Sequence, residues 1–348
     1  MDKKKSLRTF LILMAITGSA SAQTTGITLF GIADVAVGQV KNGSEGSTTR
    51  VQSGSSNTSR FGIKGEEDLG GGFSAGFHFQ AGVRVDTGES DAKFFGRRST
   101  VSLLGNFGEV RLGRDYTPTS LNTFFDEFGV VGVGSVGIFT YGSGANLGSS
   151  ATTVLRADNS IGYFLPEKGP LFGSVMYAAE ESSIGNQYVG GRLGYKSGPI
   201  TTAIGYGTTD TGAGLSDFEN INLFFNYRFG FATLHTLYDA KDWSPRKSAT
   251  ISIGASVPIG SAGEIKFGIA RADRSGGAAG SGFGDADDST RIGIGYEHNV
   301  TKRTRLYTNY GRVTNKGAAR SSVSYSPPAG MLGGETSSGI EFGIRHSF

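Results

Sequence analysis

Few residues in this chain have the type and spacing for covalent chemistry. Gly72-Phe73-Ser74-Ala75-Gly76 fits the G-x-S-x-G nucleophile pattern, which needs a strand-to-helix elbow with acidic and histidine partners further on. No helical pattern follows Ser74, which opens an alternating strand, and a chain with 57 glycines yields such matches by chance. Gly132-Val133-Gly134-Ser135-Val136-Gly137 fits G-x-G-x-x-G without the strand and helix that would seat a pyrophosphate, so it reads as flexibility within a loop. His78, His235, His298 and His346 lie on separate strands without metal-ligand spacing, and Asp285, Asp287 and Asp288 read as a solvated loop. No metal and no cofactor is expected. What remains is a charge pattern. Arg60 and Lys64 share the polar parity of one strand, Arg98 precedes Ser-Thr-Val-Ser-Leu-Leu-Gly, and Arg111 alternates with Val110 and Leu112. Asp126 and Glu127 lie within the longest stretch that lacks a strand pattern. Acids facing such bases across a narrow opening create a transverse field that selects ions and orients dipolar solutes.

The elements that must hold these charges are strands. Segments of about ten residues alternate apolar with polar between turn formers, near 26–39, 59–68, 73–85, 94–105, 108–114, 158–165, 170–180, 187–196, 199–209, 218–228, 230–240, 246–258, 263–273, 287–299, 303–313 and 338–348. Residues 338–348 set the pattern: Ile340, Phe342, Ile344, His346 and Phe348 share one face, and Glu341, Gly343, Arg345 and Ser347 the other. An apolar strand edge invites aggregation unless it is paired. The first mature strand offers the partner, with Ile27, Leu29, Ala33, Val35 and Val37 on one face and Thr28 and Asp34 on the other. In Asn-Ile-Asn-Leu-Phe-Phe-Asn-Tyr-Arg, Ile221, Leu223, Phe225 and Tyr227 oppose Asn222 and Asn226, while Phe224 and Arg228 break the rule. Tyr177, Tyr188, Tyr195, Tyr227, Phe229, Tyr238, Tyr307 and Tyr310 sit near strand ends, as in interfacial girdles. Short turns alternate with long polar connections at 41–58, 115–157, 274–286 and 314–337. The expectation is an all-β, transmembrane, 16-stranded antiparallel β-barrel whose third loop folds inward. Phe124, Phe125, Phe128 and Phe139 suit such a loop inside a barrel.

Targeting agrees with that class. Residues 1–22 read as a signal peptide: Lys3, Lys4, Lys5 and Arg8, then an apolar run from Phe10 to Ile16, then Ala20-Ser21-Ala22. Residues 23–348 form the barrel domain. The run is too short to span a bilayer as a helix. The leader carries the whole formal charge of +3, so the mature chain is neutral and gives no reason to propose nucleic acid. There is no cysteine, and stability must come from hydrogen bonds and packing.

At this point the residues resemble a family, the general (non-specific) porins of Gram-negative outer membranes, in particular the β-proteobacterial branch. Ile-Thr-Leu-Phe-Gly-Ile-Ala-Asp-Val-Ala-Val-Gly is similar to its first strand, and residues 59–77 to its second hairpin. Residues 107–120 resemble the strand feeding the infolded loop, Phe-Asp-Glu-Phe-Gly the acidic tip of that loop, and Ala-Asp-Asn-Ser-Ile-Gly-Tyr the strand that follows. The resemblance covers the whole mature chain. It implies a homotrimer in the outer membrane, passive diffusion of ions and small hydrophilic solutes, contact with lipid and lipopolysaccharide, and insertion by the barrel-assembly machinery with Phe348 as the signal. It also implies that Arg156 is a pore-wall residue and that Arg114 points into the pore. Strict alternation puts Arg114 on the lipid side with Val110 and Leu112, so either a bulge resets the parity, the preferred reading, or Arg114 snorkels at the interface. The expected constriction is therefore Arg60, Lys64, Arg98, Arg111, Arg114 and Arg156 against Asp126 and Glu127. The excess of bases suggests a weak anion preference. The alternatives are a channel preferring organic acids or phosphate, and a phospholipase-type barrel enzyme that would lose activity with Ser74→Ala.

Overall fold

The alternating pattern becomes a wall with two chemically opposite faces. The computed structural model describes residues 26–125, 128, 132–142, 144–180, 186–212, 214–323 and 330–348. The strands in order are β1 (Thr28–Asn42), β2 (Ser47–Ser53), β3 (Arg60–Gly70), β4 (Phe73–Gly82), β5 (Arg98–Gly105), β6 (Gly108–Tyr116), β7 (Arg156–Phe164), β8 (Leu171–Ala178) and β9 (Tyr188–Ser197). They continue as β10 (Ile200–Thr209), β11 (Phe218–Arg228), β12 (Thr233–Trp243), β13 (Arg246–Ile259), β14 (Gly263–Ser275), β15 (Ser289–Asn299), β16 (Thr304–Asn315) and β17 (Thr336–Ser347). Apart from β2 and β3, which both pair with β1, consecutive strands pair antiparallel, and β17 returns to β1 over Ile32↔Ser347 to Asn42↔Ser337. Gly31 and Phe348 exchange both backbone hydrogen bonds at the seam, at 3.0 and 3.1 Å. Closure leaves no free edge, which lets backbone polar groups survive in hydrocarbon.

The wall has sixteen staves, because β2 and β3 share one. β2 pairs with the upper part of β1 through Val35↔Ser53 to Lys41↔Ser47, and β3 with the lower part through Thr28↔Lys64 to Ile32↔Arg60. The sequence placed 47–53 in a loop. Its Ser-Thr-Thr-Arg-Val-Gln-Ser has one apolar residue, Val51, so neither face announces itself. Between the two halves, residues 54–59 turn into the lumen. Fully buried Asp34 holds them: its carboxylate accepts from the Asn57 amide at 2.9 Å and the Tyr307 hydroxyl at 2.6 Å, and its carbonyl accepts from Gly54 N at 2.7 Å.

Outward residues are apolar and bare, among them Leu223, Ile251, Ile269, Ile294 and Phe342. Inward residues are polar and covered, among them Asn222, Asp239, Arg291 and Glu341. That inversion of a water-soluble protein is the mark of a barrel in lipid. Among the described residues, no helix is long and apolar enough to cross a membrane. Tyr188 and Tyr307, read as girdle residues, are instead buried inside, where their hydroxyls meet Thr119 and Asp34. Tight turns such as 71–72, 106–107 and 198–199 cluster at one end. The other end carries the long connections 83–97, 117–155, 276–288 and 316–335, with 244–245 its one tight turn among the β11–β17 hairpins.

Candidate functional site: the lumen and its infolded loop

The described residues of the connection 117–155 lie against the inner wall because their side chains match bare places there. Its first turn, α1 (Pro118–Asn122), packs on β8 to β11. Asn122 Nδ2 donates to Asn222 Oδ1 at 2.9 Å, and Asn222 Nδ2 donates to the Thr119 carbonyl at 3.0 Å. Phe125 stacks on Phe224 with ring centroids 3.8 Å apart. Phe224 broke the sequence alternation because it is an inward apolar residue waiting for this ring. Phe128 then covers Gly293 and Gly295, and Val133 and Gly134 press against Gly311. A β-carbon on Gly311 would stand 2.7 Å from Gly134 N, so the glycines here permit close approach rather than flexibility. Glu341, fully buried on β17, accepts from Val133 N at 3.2 Å, Asn309 Nδ2 at 2.9 Å and Gln52 Nε2 at 2.9 Å. The second turn, α2 (Gly137–Thr140), joins a buried cluster with Leu237, Ala270 and Ala272. The described part of the loop thus lines the lumen from β8 round to β17 and leaves the opposite wall, β3 to β7, facing the remaining space.

That wall carries the predicted bases. Arg60, Arg98 and Arg111 lie on its inner face by the register of β3 to β6, and Arg156, the first residue of β7, reaches the Tyr116 hydroxyl near Arg60. They fall into two groups. Arg111 donates to Glu109 at 2.7 Å and to Asp115 at 2.5 Å, and Arg98 stands 3.7 and 3.8 Å from the same two acids. Two cations and two anions cancel there. Arg60 instead donates to Asn57 Oδ1 at 2.7 Å and the Thr58 carbonyl at 2.8 Å. Arg156 donates to the Tyr116 hydroxyl at 2.5 Å and lies 4.2 Å over its ring. Arg97, which sequence reasoning passed over for its neighbour, donates to Gln80 Oε1 at 3.0 Å and to the same Tyr116 hydroxyl at 2.9 Å. Among the described residues, none of these three has a carboxylate partner, and Arg60, Arg97 and Arg156 are near enough to feel one another's charge. Tyr116 is also edge-on to Phe124 of the loop, at 5.0 Å.

Lys64 sits one step toward the tight turns, 5.8 Å over the Phe30 ring. It lines a cavity of about 320 Å³ with Glu66, His78, Arg98, Ser102 and Glu109. A second cavity, about 530 Å³, opens toward the long connections beside Arg50, Arg84, Asp86 and Val133. Arg192 on β9 also faces inward, over the Phe172 ring at 4.9 Å. Its parity against Val189 and Leu193 was the available signal.

Arg114 departs from the expected placement. It stays opposite Ser99 in register, on the face of Leu112, and donates to the Gly96 carbonyl and, at 2.7 Å, to Asp158, which also meets Lys93 at 2.5 Å. An irregularity exists, but it lies on the facing strand: between the pairs Gly113↔Ser160 and Asp115↔Ala157, the single residue Arg114 of β6 faces two of β7, Asp158 and Asn159, with Asn159 left-handed at φ 52°. The extra residue resets β7 and leaves the parity of β6 intact. Asp126 and Glu127 lie outside the described residues. Asp285, Asp287 and Asp288 serve as loop caps and partners: they accept from Gly276 N, Ala318 N and Arg271.

A barrel of this topology with an infolded third loop can be set beside known proteins. The family model of Gram-negative porins matches residues 9–318. This chain belongs to the Gram-negative porin family. The outer membrane porin protein 32 of Delftia acidovorans is 36% identical over 99% of this chain and 100% of its own. The solved anion-selective porin from Comamonas acidovorans superposes with a TM-score of 0.81 at 34% identity, covering 93% of this chain and 100% of that one. An outer membrane protein of Vibrio cholerae, solved in a trimer form, shares the fold at a TM-score of 0.69 and 15% identity, over 94% of this chain and 100% of that one. The porin is an outer-membrane β-barrel that crosses the bilayer with its strands.

Proposed function

We propose that this porin is a water-filled diffusion channel for ions and small hydrophilic solutes, with a weak preference for anions. The observation that carries the reading is the unequal pairing of the lumen arginines. Arg98 and Arg111 are neutralised by Glu109 and Asp115, whereas Arg60, Arg97 and Arg156 are held by uncharged oxygens and keep their field. The anion-selective porin from Comamonas acidovorans, a structural relative, supports the same sign. Zero-current potentials across a KCl gradient test it: anion-side potentials are expected, and cation-side potentials reject it.

The same reading places the remaining parts. Residues 1–22 are removed on export and 23–348 form the working barrel. The constriction is Arg60, Arg97, Arg98, Arg111 and Arg156, with Lys64 below it and Asp126 and Glu127 contributed by the loop sequence. Three copies assemble, as the trimer form of the Vibrio cholerae protein suggests, and cross-linking at low detergent should trap a trimer. Phe348 is read by the assembly machinery, and the outer rim meets lipopolysaccharide. The protein moves solutes and makes or breaks no bond. A preference for organic acids is a second reading, favoured by one fact: Arg97 and Arg156 share the Tyr116 hydroxyl and so lie within reach of a single carboxylate. Conductance that saturates with a dicarboxylate would show it.

A further inference from the structure

The arginines that set the field must be held in place, and what holds them decides whether their charge survives. We propose that Asn57, Gln80 and Tyr116 are specificity-determining positioning residues: they fix Arg60, Arg97 and Arg156 through neutral oxygens, so that position is gained without loss of charge. The inference rests on the anion-preferring reading above. A flexible guanidinium in a wide lumen would average its field over many rotamers, and a carboxylate partner would fix it but cancel it. The structure shows both arrangements side by side. Glu109 and Asp115 hold Arg98 and Arg111 as a neutral group. One level away, Gln80 Oε1 accepts from Arg97 Nε at 3.0 Å, and Gln80 is itself buried. The Tyr116 hydroxyl oxygen accepts from Arg97 at 2.9 Å and Arg156 at 2.5 Å, which uses both of its lone pairs on cations. Its ring lies under Arg156 at 4.2 Å, a face that attracts cations yet carries no net charge. Asn57 Oδ1 and the Thr58 carbonyl complete the set around Arg60. Three like charges are thereby kept close, and among the described residues uncharged acceptors alone hold them.

Near-isosteric exchange of one atom separates charge from position. Gln80→Glu puts a carboxylate oxygen where Arg97 already donates, and Asn57→Asp does the same at Arg60. Both relieve repulsion among the arginines, so folding should not suffer, and heat-modifiable gel mobility checks it. Zero-current potentials in a KCl gradient should show the anion-to-cation permeability ratio falling roughly threefold for each at low salt, less as salt screens it. Acidification that protonates the introduced carboxylate should return the ratio of Gln80→Glu toward wild type. Gln80→Leu, which keeps the charge and loses only the acceptor, should retain the sign of the preference. A ratio unchanged in both acidic variants overturns the inference, as does a loss in Gln80→Leu equal to that in Gln80→Glu. Wild-type channels without anion preference would instead defeat the underlying reading, and the inference with it.

Discussion

Replacing Glu341 by alanine should loosen the infolded loop without harming the barrel. Glu341 is fully buried and its two carboxylate oxygens serve three donors: the Val133 amide of the loop, Asn309 on β16 and Gln52 on β2. Val133 and Asn309 are buried too, at 2% and 3% exposure, so their donors lose a partner that water cannot readily replace. A buried donor left unmade costs about 1–3 kcal/mol, and two of them give about 3 kcal/mol against the docked loop. Each 1.4 kcal/mol is tenfold in an equilibrium, so the undocked fraction near residues 132–136 should rise about a hundredfold. The contacts at Phe125 with Phe224 and Asn122 with Asn222 are far from this point and should keep the rest of the loop in place. In single-channel recordings, Glu341→Ala should show larger open-channel noise and a higher mean conductance than wild type. Glu341→Gln keeps one acceptor oxygen for Val133 and Asn309 and should fall between the two. Wild-type conductance and noise in Glu341→Ala, from protein folded by gel mobility, would refute the idea that this carboxylate pins the loop.

Other substitutions probe the remaining parts. A β-carbon on Gly31 would stand 2.3 Å from the Phe348 ring and 2.7 Å from the Arg60 carbonyl, so Gly31→Val should cost about 1–3 kcal/mol at the seam and lower the yield of heat-modifiable barrel in refolding assays. Leu223 faces lipid in the middle of β11, and Leu223→Arg should cost about 2–4 kcal/mol in urea unfolding from vesicles. Arg111→Ala leaves Glu109 and Asp115 with Arg98 as their one described cationic partner, so the zero-current potential should move toward cations. A shift toward anions would contradict the pairing.

The barrel was legible because lipid and water impose opposite demands on alternate residues, and every long strand records both. Even the failures of alternation carried information: Phe224 is apolar on the wet side because Phe125 covers it. β2 was illegible because Ser-Thr-Thr-Arg-Val-Gln-Ser is polar on both faces, and its place in the wall is set by pairing with β1. The placement of Arg114 turned on a bulge in β7, a strand more than forty residues away in sequence, which no reading of β6 could supply. Tyr188 and Tyr307 resembled girdle residues by position along the strand, yet parity puts them inside. Arg60, Lys64 and Arg111 were readable from parity, whereas Arg156 rested on the family resemblance and Arg97 was passed over for its neighbour. Their division into neutralised and charged groups depends on Asp115, Glu109, Gln80 and Tyr116 meeting across strands, a matter of register that composition does not record.

The most direct test of the account is the zero-current potential of the purified wild-type protein in a planar bilayer with a KCl gradient, read together with the unit conductance. The account predicts discrete steps with conductance linear in salt and a potential of the sign set by permeating chloride, shrinking as salt rises. A potential of the opposite sign, or no steps from folded protein, would contradict it.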